Sequence, residues 1–282
     1  MRYGRQRVTI PGWLRVVVFV LVALAFAIAT AVIVRAHPEL VDDTTLWPLL
    51  VVVALVPPMV TLNAIEVQLS ARYLGLSIRW ADAYAITVLG TGANMLPLPG
   101  AMVVRSAALA RHGATAMKGT AVTLAFALSW VAMSCLYSGA ALWLVGRERY
   151  GAAVLAVGAA ALIAFGALSI VKYEQPASRI ALALATKLGV VVLEAVELYF
   201  SFRALAIDVT FAGASAIAIS SVAGAAIAVV PAGLGVREGA GALVAELVGL
   251  GRARGFLAVA LCRIVNMIVL VPIAIYLSVR RE

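Results

Sequence analysis

Long apolar stretches alternate with short polar connections along this chain. A run of about 20 apolar residues is long enough to cross a bilayer as a helix. Uninterrupted stretches of this kind cover residues 13–34, 47–69, 119–145, 151–171, 180–204 and 256–279. The pattern predicts an all-α polytopic membrane protein in which residues 1–282 form a single integral membrane domain.

Two further apolar stretches, 81–112 and 209–250, are interrupted near their middle by proline and glycine. Lipid offers no hydrogen-bond partners, so non-helical backbone at membrane depth must be buried in protein or line a wet cavity. We therefore predict that each stretch forms a re-entrant helical hairpin. The predicted turn residues are Pro97, Pro99 and Gly100 in the first hairpin and Pro231, Gly233 and Gly235 in the second.

The two interrupted stretches also resemble each other. Arg105 follows Pro99 by six positions, and Arg237 follows Pro231 by six positions. Broken helices at corresponding places in two halves are a sequence indication of a transport site. We predict an inverted repeat whose halves cover residues 13–145 and 151–279.

Composition and charge agree with this class. The chain is 64% hydrophobic and 12% charged, whereas soluble domains carry about 25% charged residues. The net charge of +9 does not indicate a nucleic-acid partner here, because most Lys and Arg residues lie at segment ends, where they set orientation and meet anionic headgroups. With hairpins in both stretches, the positive-inside rule predicts a multi-pass protein of the cytoplasmic (inner) membrane with both termini in the cytoplasm.

Charged residues inside the apolar stretches are the candidate functional groups, since each is costly to insert into a bilayer. Lys187, Glu194 and Glu197 follow one another at spacings of seven and three, which places them on one face of a helix. We predict that these three residues compensate charge or couple a proton. The alternative is that they pair between helices and only fix the packing.

A second group of polar residues lies around the hairpin turns. A helix N-terminus attracts anions, and the planar guanidinium group suits phosphate. We therefore predict two half-helix ends that face a common anionic headgroup near mid-membrane. The candidate headgroup-binding residues are Asn94, Arg105, Arg237, Glu238 and Arg263. The alternative for Glu238 is that it only complements the dipole at the start of a helix.

The sequence shows no pattern typical of covalent catalysis. Its two histidines, His37 and His112, lie at or beyond the ends of the apolar stretches, and the phosphate-loop and nucleophile-elbow motifs are absent. Cys135 and Cys262 both fall inside apolar stretches, which does not favour a disulfide or metal framework. We predict no catalytic residue, no metal, no cofactor and no enzymatic activity.

A proline and glycine motif late in the chain, preceded by an Asn, Pro, Gly and Arg series, resembles the flippase-like family that includes the lysylphosphatidylglycerol synthase transmembrane region. The residues that carry the resemblance are Pro231, Gly233, Gly235 and Glu238, and before them Asn94, Pro97, Gly100 and Arg105. The resemblance implies paired re-entrant elements around a lipid-headgroup cavity. Synthase members carry a separate cytosolic aminoacyl-transferase domain. We expect no such domain within these 282 residues and therefore expect no synthase activity.

The predicted function is that of a lipid flippase or transporter that binds and translocates an anionic lipid, either a phospholipid or a polyprenyl-phosphate carrier. Its expected partners are that lipid and enzymes of a lipid pathway. Two alternatives stay open: a membrane-embedded transferase that uses a lipid-phosphate donor, and a non-catalytic scaffold of an envelope-lipid pathway. The chain departs from the family pattern at Ala101, where relatives often have an acidic residue, and around Ala125 and Phe126, where they often have a charged pair.

Overall fold

The computed structural model describes residues 44–93, 100–226 and 235–279, together with residues 24, 28, 30–36 and 38. Within this part of the chain all regular structure is helical, which confirms the predicted all-α fold class. Residues 30–36 are helical, and the helices that follow are α1 (Trp47–Tyr73), α2 (Trp80–Ala93), α3 (Gly100–Arg111), α4 (Ala116–Leu144), α5 (Glu148–Ala167), α6 (Ala177–Ala204), α7 (Phe211–Ile217), α8 (Ser220–Ala226), α9 (Val236–Leu247) and α10 (Arg252–Val279).

Helices α1, α4, α5 and α10 are long and apolar enough to cross a membrane. Helix α5 reaches this length because it continues into a short π-helical segment, Leu168–Lys172. Helix α6 has 28 residues, so at 1.5 Å per residue it is about 42 Å long, but its apolar run is broken by charged side chains. The predicted span 13–34 lies mostly outside the described residues. The protein is therefore integral to a membrane, with α6 as a long helix that carries charge inside it.

The first interrupted stretch forms two short helices that pack against each other. Helices α2 and α3 have 14 and 12 residues, which gives lengths of about 21 and 18 Å, well short of the bilayer core of about 30 Å. A Cβ atom on Gly90 would lie 3.4 Å from Cα of Ala101. At the open end, a Cβ atom on Gly113 would lie 3.8 Å from Cδ2 of Leu76. The segment therefore leaves the bundle at the end where it entered.

The second interrupted stretch has the same organisation with one more break. Helices α7 and α8 follow each other across residues 218–219, and α8 then packs against α9, where a Cβ atom on Gly224 would lie 2.9 Å from Cβ of Arg237. Val209, before α7, and Leu250, after α9, line one shallow pocket. Both ends of this segment therefore also lie at one end of the bundle.

The two hairpins enter from opposite ends. Gly113 precedes α4, whereas Val145, which lines the pocket beside Val209, follows the same helix. One hairpin therefore opens where α4 begins and the other where α4 ends. Of the predicted turn residues, Gly100 begins α3 and Gly235 precedes α9. The remaining predicted turn residues lie outside the described residues, and they are Pro97, Pro99, Pro231 and Gly233.

Helix α6 lies at the centre of the bundle. It packs against α1, α4, α7 and α10, and its residues Ala195, Leu198 and Phe202 belong to the largest buried cluster, together with α10 and the start of the second hairpin. Helix α5 packs mainly against α4 at a crossing lined by glycine. The central position of α6 brings its charged residues into contact with both hairpin regions.

Candidate functional site

A buried ion cluster joins the first hairpin to α6. Arg105 of α3 donates from Nη1 to Oε1 of Glu66 on α1 over 2.8 Å, and Lys187 of α6 donates from Nζ to Oε2 of the same carboxylate. Glu66 is 2% exposed and Lys187 is 4% exposed. We call Glu66, Arg105 and Lys187 the first ion cluster.

The first ion cluster has an excess of positive charge. One carboxylate faces two cations, so one formal positive charge is left uncompensated among these three residues. Arg105 keeps one-fifth of its side chain exposed, and its Nε is buried without an acceptor among the described residues. Because a guanidinium group offers several donors in a planar fork, Arg105 has donors left for an anion.

A second ion cluster lies where α6, α8, α9 and α10 meet. Arg237 donates from Nη2 to Oε1 of Glu194 over 2.7 Å, and the hydroxyl of Ser221 donates to the same oxygen. Arg263 donates from Nη1 to Oε1 of Glu238 over 2.6 Å. We call the following residues the second ion cluster: Glu194, Glu197, Arg237, Glu238 and Arg263.

Glu238 fixes the start of α9. Gly235 precedes the helix with a φ of +81°, a conformation that glycine adopts readily. The backbone N–H of Gly235 donates to Oε2 of Glu238 over 2.7 Å, while the other oxygen accepts from Arg263. Glu238 is fully buried and both of its oxygens are engaged within the protein. In this arrangement it positions Arg263 and the helix start.

Glu197 is the third carboxylate of the second ion cluster and the one without a hydrogen-bonded cation. Its Oε2 accepts from Nδ2 of Asn266 over 3.1 Å and from the thiol of Cys262 over 3.6 Å. Its Oε1 is buried and has no partner among the described residues. Glu197 thus lies in a polar setting of neutral donors.

The two clusters repeat one arrangement. In each, the returning helix of a hairpin supplies an arginine, and that arginine bonds a glutamate on the long helix before the hairpin. The pairs are Arg105 with Glu66 and Arg237 with Glu194. The sequence repeat, in which Arg105 follows Pro99 and Arg237 follows Pro231 by six positions each, thus corresponds to a repeated ion pair in the structure.

Helix α6 connects the two clusters. Lys187 belongs to the first and Glu194 to the second, and seven residues along a helix correspond to about 10 Å. Lys187 therefore pairs with Glu66 and not with the glutamates of its own helix. Arg105 pairs with Glu66 and Arg237 pairs with Glu194, so the two hairpin arginines belong to two separate ion pairs.

Sequence reasoning missed Glu66. It lies in the apolar stretch 47–69 and is followed by Gln68, Ser70 and Arg72, so it resembles the polar end of a span. Asn94, a predicted headgroup-binding residue, lies outside the described residues. Among the described residues, no group of His, Cys, Asp or Glu side chains could hold a metal ion, and Cys135 and Cys262 are free thiols.

Residues 172–274 match the family model described as the lysylphosphatidylglycerol synthase TM region, which confirms the resemblance noted from the sequence. The matched region contains Lys187 and the whole second ion cluster, whereas Glu66 and Arg105 precede it. Among curated proteins, none matches the chain significantly. The family match indicates a membrane protein with a role related to lipid modification or lipid transport.

Proposed function

With a lipid-related membrane family as the premise, we propose that this protein binds an anionic lipid headgroup and carries it across the cytoplasmic membrane. It acts by transport and not by covalent chemistry. The observation that carries the proposal is the pair of hairpin arginines. Arg105 and Arg237 each give one N–H group to a glutamate, and each keeps a buried Nε without an acceptor among the described residues.

An anionic ligand fits these donors. A guanidinium group binds phosphate through parallel N–H···O bonds, which are stronger than bonds between neutral groups. The first ion cluster adds an uncompensated positive charge in surroundings that exclude most water. Charges within a membrane are costly and mark ligand or ion pathways. A phosphate group on a lipid supplies the missing negative charge.

The arrangement of the two ion clusters supports movement of a lipid headgroup from one leaflet to the other. The hairpins open at opposite ends of the bundle, and the two residues of α6 that pair with the two clusters, Lys187 and Glu194, are about 10 Å apart along the helix axis. A headgroup that leaves Arg105 for Arg237 therefore advances along the membrane normal, while its acyl or prenyl tail stays in lipid. Half-helices that meet a site from both sides are typical of transporters.

The same topology supports an orientation. The end of the bundle where the first hairpin opens carries Arg72, Arg79, Arg111, Lys118, Lys172 and Arg179, and in the sequence Arg280 and Arg281 directly follow α10, whose last turn lies at this end. The opposite end carries fewer basic residues, and they are Arg147, Arg149, Arg203, Arg252 and Arg254. The positive-inside rule places such an end in the cytoplasm. Headgroups from the cytoplasmic leaflet then meet the first ion cluster before the second.

The test is lipid movement in vesicles that contain the purified protein and fluorescent phosphatidylglycerol. A membrane-impermeant reductant quenches only the outer leaflet, so the slow quenching phase measures movement from the inner leaflet. We expect Arg105→Ala and Arg237→Ala each to slow this phase at least tenfold. Arg254→Ala is the matched control, because Arg254 is an exposed arginine at the start of α10, and it retains the wild-type rate.

Two outcomes contradict the proposal. Wild-type protein that does not accelerate the slow phase over protein-free vesicles is not a transporter of this lipid class. Equal loss of rate in Arg254→Ala shows that the effect comes from general positive charge. Mass spectrometry of the lipids after the assay separates transport from transferase chemistry, since transport leaves the mass of the labelled lipid unchanged.

A further inference from the structure

Glu197 is set apart from the other carboxylates of the second ion cluster. It is 1% exposed, and its Oε1 has no partner among the described residues. The two guanidinium groups nearby form ion pairs with the other two carboxylates, Arg237 with Glu194 and Arg263 with Glu238. Three carboxylates thus share two cations, and Glu197 is the one left over.

The surroundings of Glu197 decide its charge state. An ionised carboxylate that is removed from water and lacks a counter-ion is strongly disfavoured, and a bound proton removes that charge. The neighbours that donate to it, Asn266 and Cys262, are neutral. Helices α4 and α7, which also pack on α6, contribute Tyr137 and Ser215, whose hydroxyl groups bond each other. The charged and titratable groups that act on Glu197 are Glu194 on its own helix, Arg237 on α9 and Cys262 on α10, and the Glu238 to Arg263 ion pair completes the cluster.

We infer that Glu197 binds a proton that crosses the membrane together with the anionic headgroup, an inference that rests on the proposed function. The proton comes from water on one side, forms an O–H bond with the Glu197 carboxylate, and returns to water on the other side when that bond breaks. One proton then accompanies one negative headgroup charge.

Charge explains why the proton and the headgroup travel together. With Glu197 protonated, the second ion cluster carries two carboxylates and two guanidinium groups, so it is formally neutral and accepts an anion at Arg237. With Glu197 ionised, the cluster holds one excess negative charge within reach of that anion and repels it. Each bound species therefore raises the affinity of the cluster for the other, as linkage requires.

The experiment uses the same vesicles with a pH difference across the membrane. We expect wild-type protein to move fluorescent phosphatidylglycerol faster from the acidic to the alkaline side, and a proton ionophore to abolish the difference. Glu197→Gln keeps the shape of the side chain and loses the response, so its rate is the same with and without the gradient. Glu246→Gln, at an exposed glutamate on α9, keeps the wild-type response.

Infrared spectroscopy gives a readout that does not depend on transport. Wild-type protein at neutral pH shows the C=O band of a protonated carboxylic acid, which shifts in D2O. Glu197→Gln lacks this band and Glu246→Gln retains it. A band that survives in Glu197→Gln overturns the assignment of the proton to this residue.

The remaining outcomes separate this inference from the proposed function. If wild-type protein moves the lipid at one rate whatever the pH gradient, the function stands and the proton coupling fails. If a sodium gradient at equal pH drives the lipid and a proton gradient does not, Glu197 serves a metal cation and the inference is overturned. If no lipid moves at all, the proposed function fails, and with it the coupling.

Discussion

At the scale of single residues, Glu66 is notable because its buried carboxylate pairs with two cations at once. Its carboxylate bonds Arg105 through one oxygen and Lys187 through the other, in a site that is almost closed to solvent. Removing one partner of a buried ion pair is more costly than the pair is stabilising, because the other charge stays buried without compensation. Loss of Glu66 leaves two such charges, whereas loss of Lys187 leaves a balanced pair.

We therefore predict unequal effects for two substitutions in the first ion cluster. Glu66→Gln lowers the free energy of unfolding by about 3–5 kcal/mol, the range typical of a broken buried ion pair. Lys187→Met, which keeps the Glu66 to Arg105 bond and fills a similar volume, has a smaller effect. The measurement is denaturation of the detergent-solubilised protein followed by circular dichroism. A larger loss in Lys187→Met would identify Lys187 as the counter-ion that Glu66 requires.

The sequence singled out most residues of the two ion clusters but not their partners. Lys187, Glu194 and Glu197 are conspicuous because they interrupt an apolar run, and all three lie on one helix, α6. A helix face does not say which neighbour it meets, so the pairing of Lys187 with Glu66 needed the three-dimensional arrangement. Glu66 itself was not predicted as a site residue, because polar residues follow it to the end of its helix.

At the scale of helices, the proline and glycine interruptions were the most informative sequence signal. They predicted both hairpins because a broken helix in lipid needs a special environment. The two helices on either side of residues 94–99 have 14 and 12 residues, so each is too short to cross the bilayer core. The further break between α7 and α8 was not predicted. Residues 218–219 are alanine and isoleucine, and these residues carry no local signal for a helix end.

The crossing of α4 and α5 gives a prediction at this scale. A Cβ atom on Gly158 would lie 2.8 Å from the backbone N of Leu136, whereas a Cβ atom on Gly166 would meet nothing within 4 Å. Gly158→Ala forces the two backbones apart, and we expect it to lower the free energy of unfolding by about 1–3 kcal/mol.

Gly166→Ala is the matched control on the same helix. Alanine is the better helix former by about 1 kcal/mol, so this variant is expected to be as stable as the wild type or slightly more stable. Denaturation midpoints of the two variants are compared under identical detergent conditions. Equal losses in both would mean that the α4–α5 crossing does not depend on close approach at Gly158.

At the scale of the whole molecule, the two hairpins open at opposite ends of one bundle, and this is a testable statement about membrane sidedness. Single cysteines placed at Ser77 and His112, which flank the first hairpin, should react with an impermeant thiol reagent from one face. Cysteines at Asp208 and Arg252, which flank the second hairpin, should react from the other. All four positions are exposed.

The native protein provides the background for this labelling, because Cys135 and Cys262 are buried and should stay unlabelled. Labelling in sealed vesicles, with permeabilised vesicles for comparison, assigns each position to a face. If Ser77 and His112 react from different faces, the first interrupted stretch crosses the membrane, and the hairpin arrangement is wrong.

Helix α5 packs mainly against α4, but it also sets the topology of the whole bundle. Between the start of α1 and the start of α6 the chain makes three full crossings, by α1, α4 and α5, because the first hairpin turns back. The number of crossings is odd, so α6 begins at the membrane face opposite to the one where α1 begins. Without α5 the number of crossings would be even and the two halves would have the same orientation. Both hairpins would then open toward the same compartment.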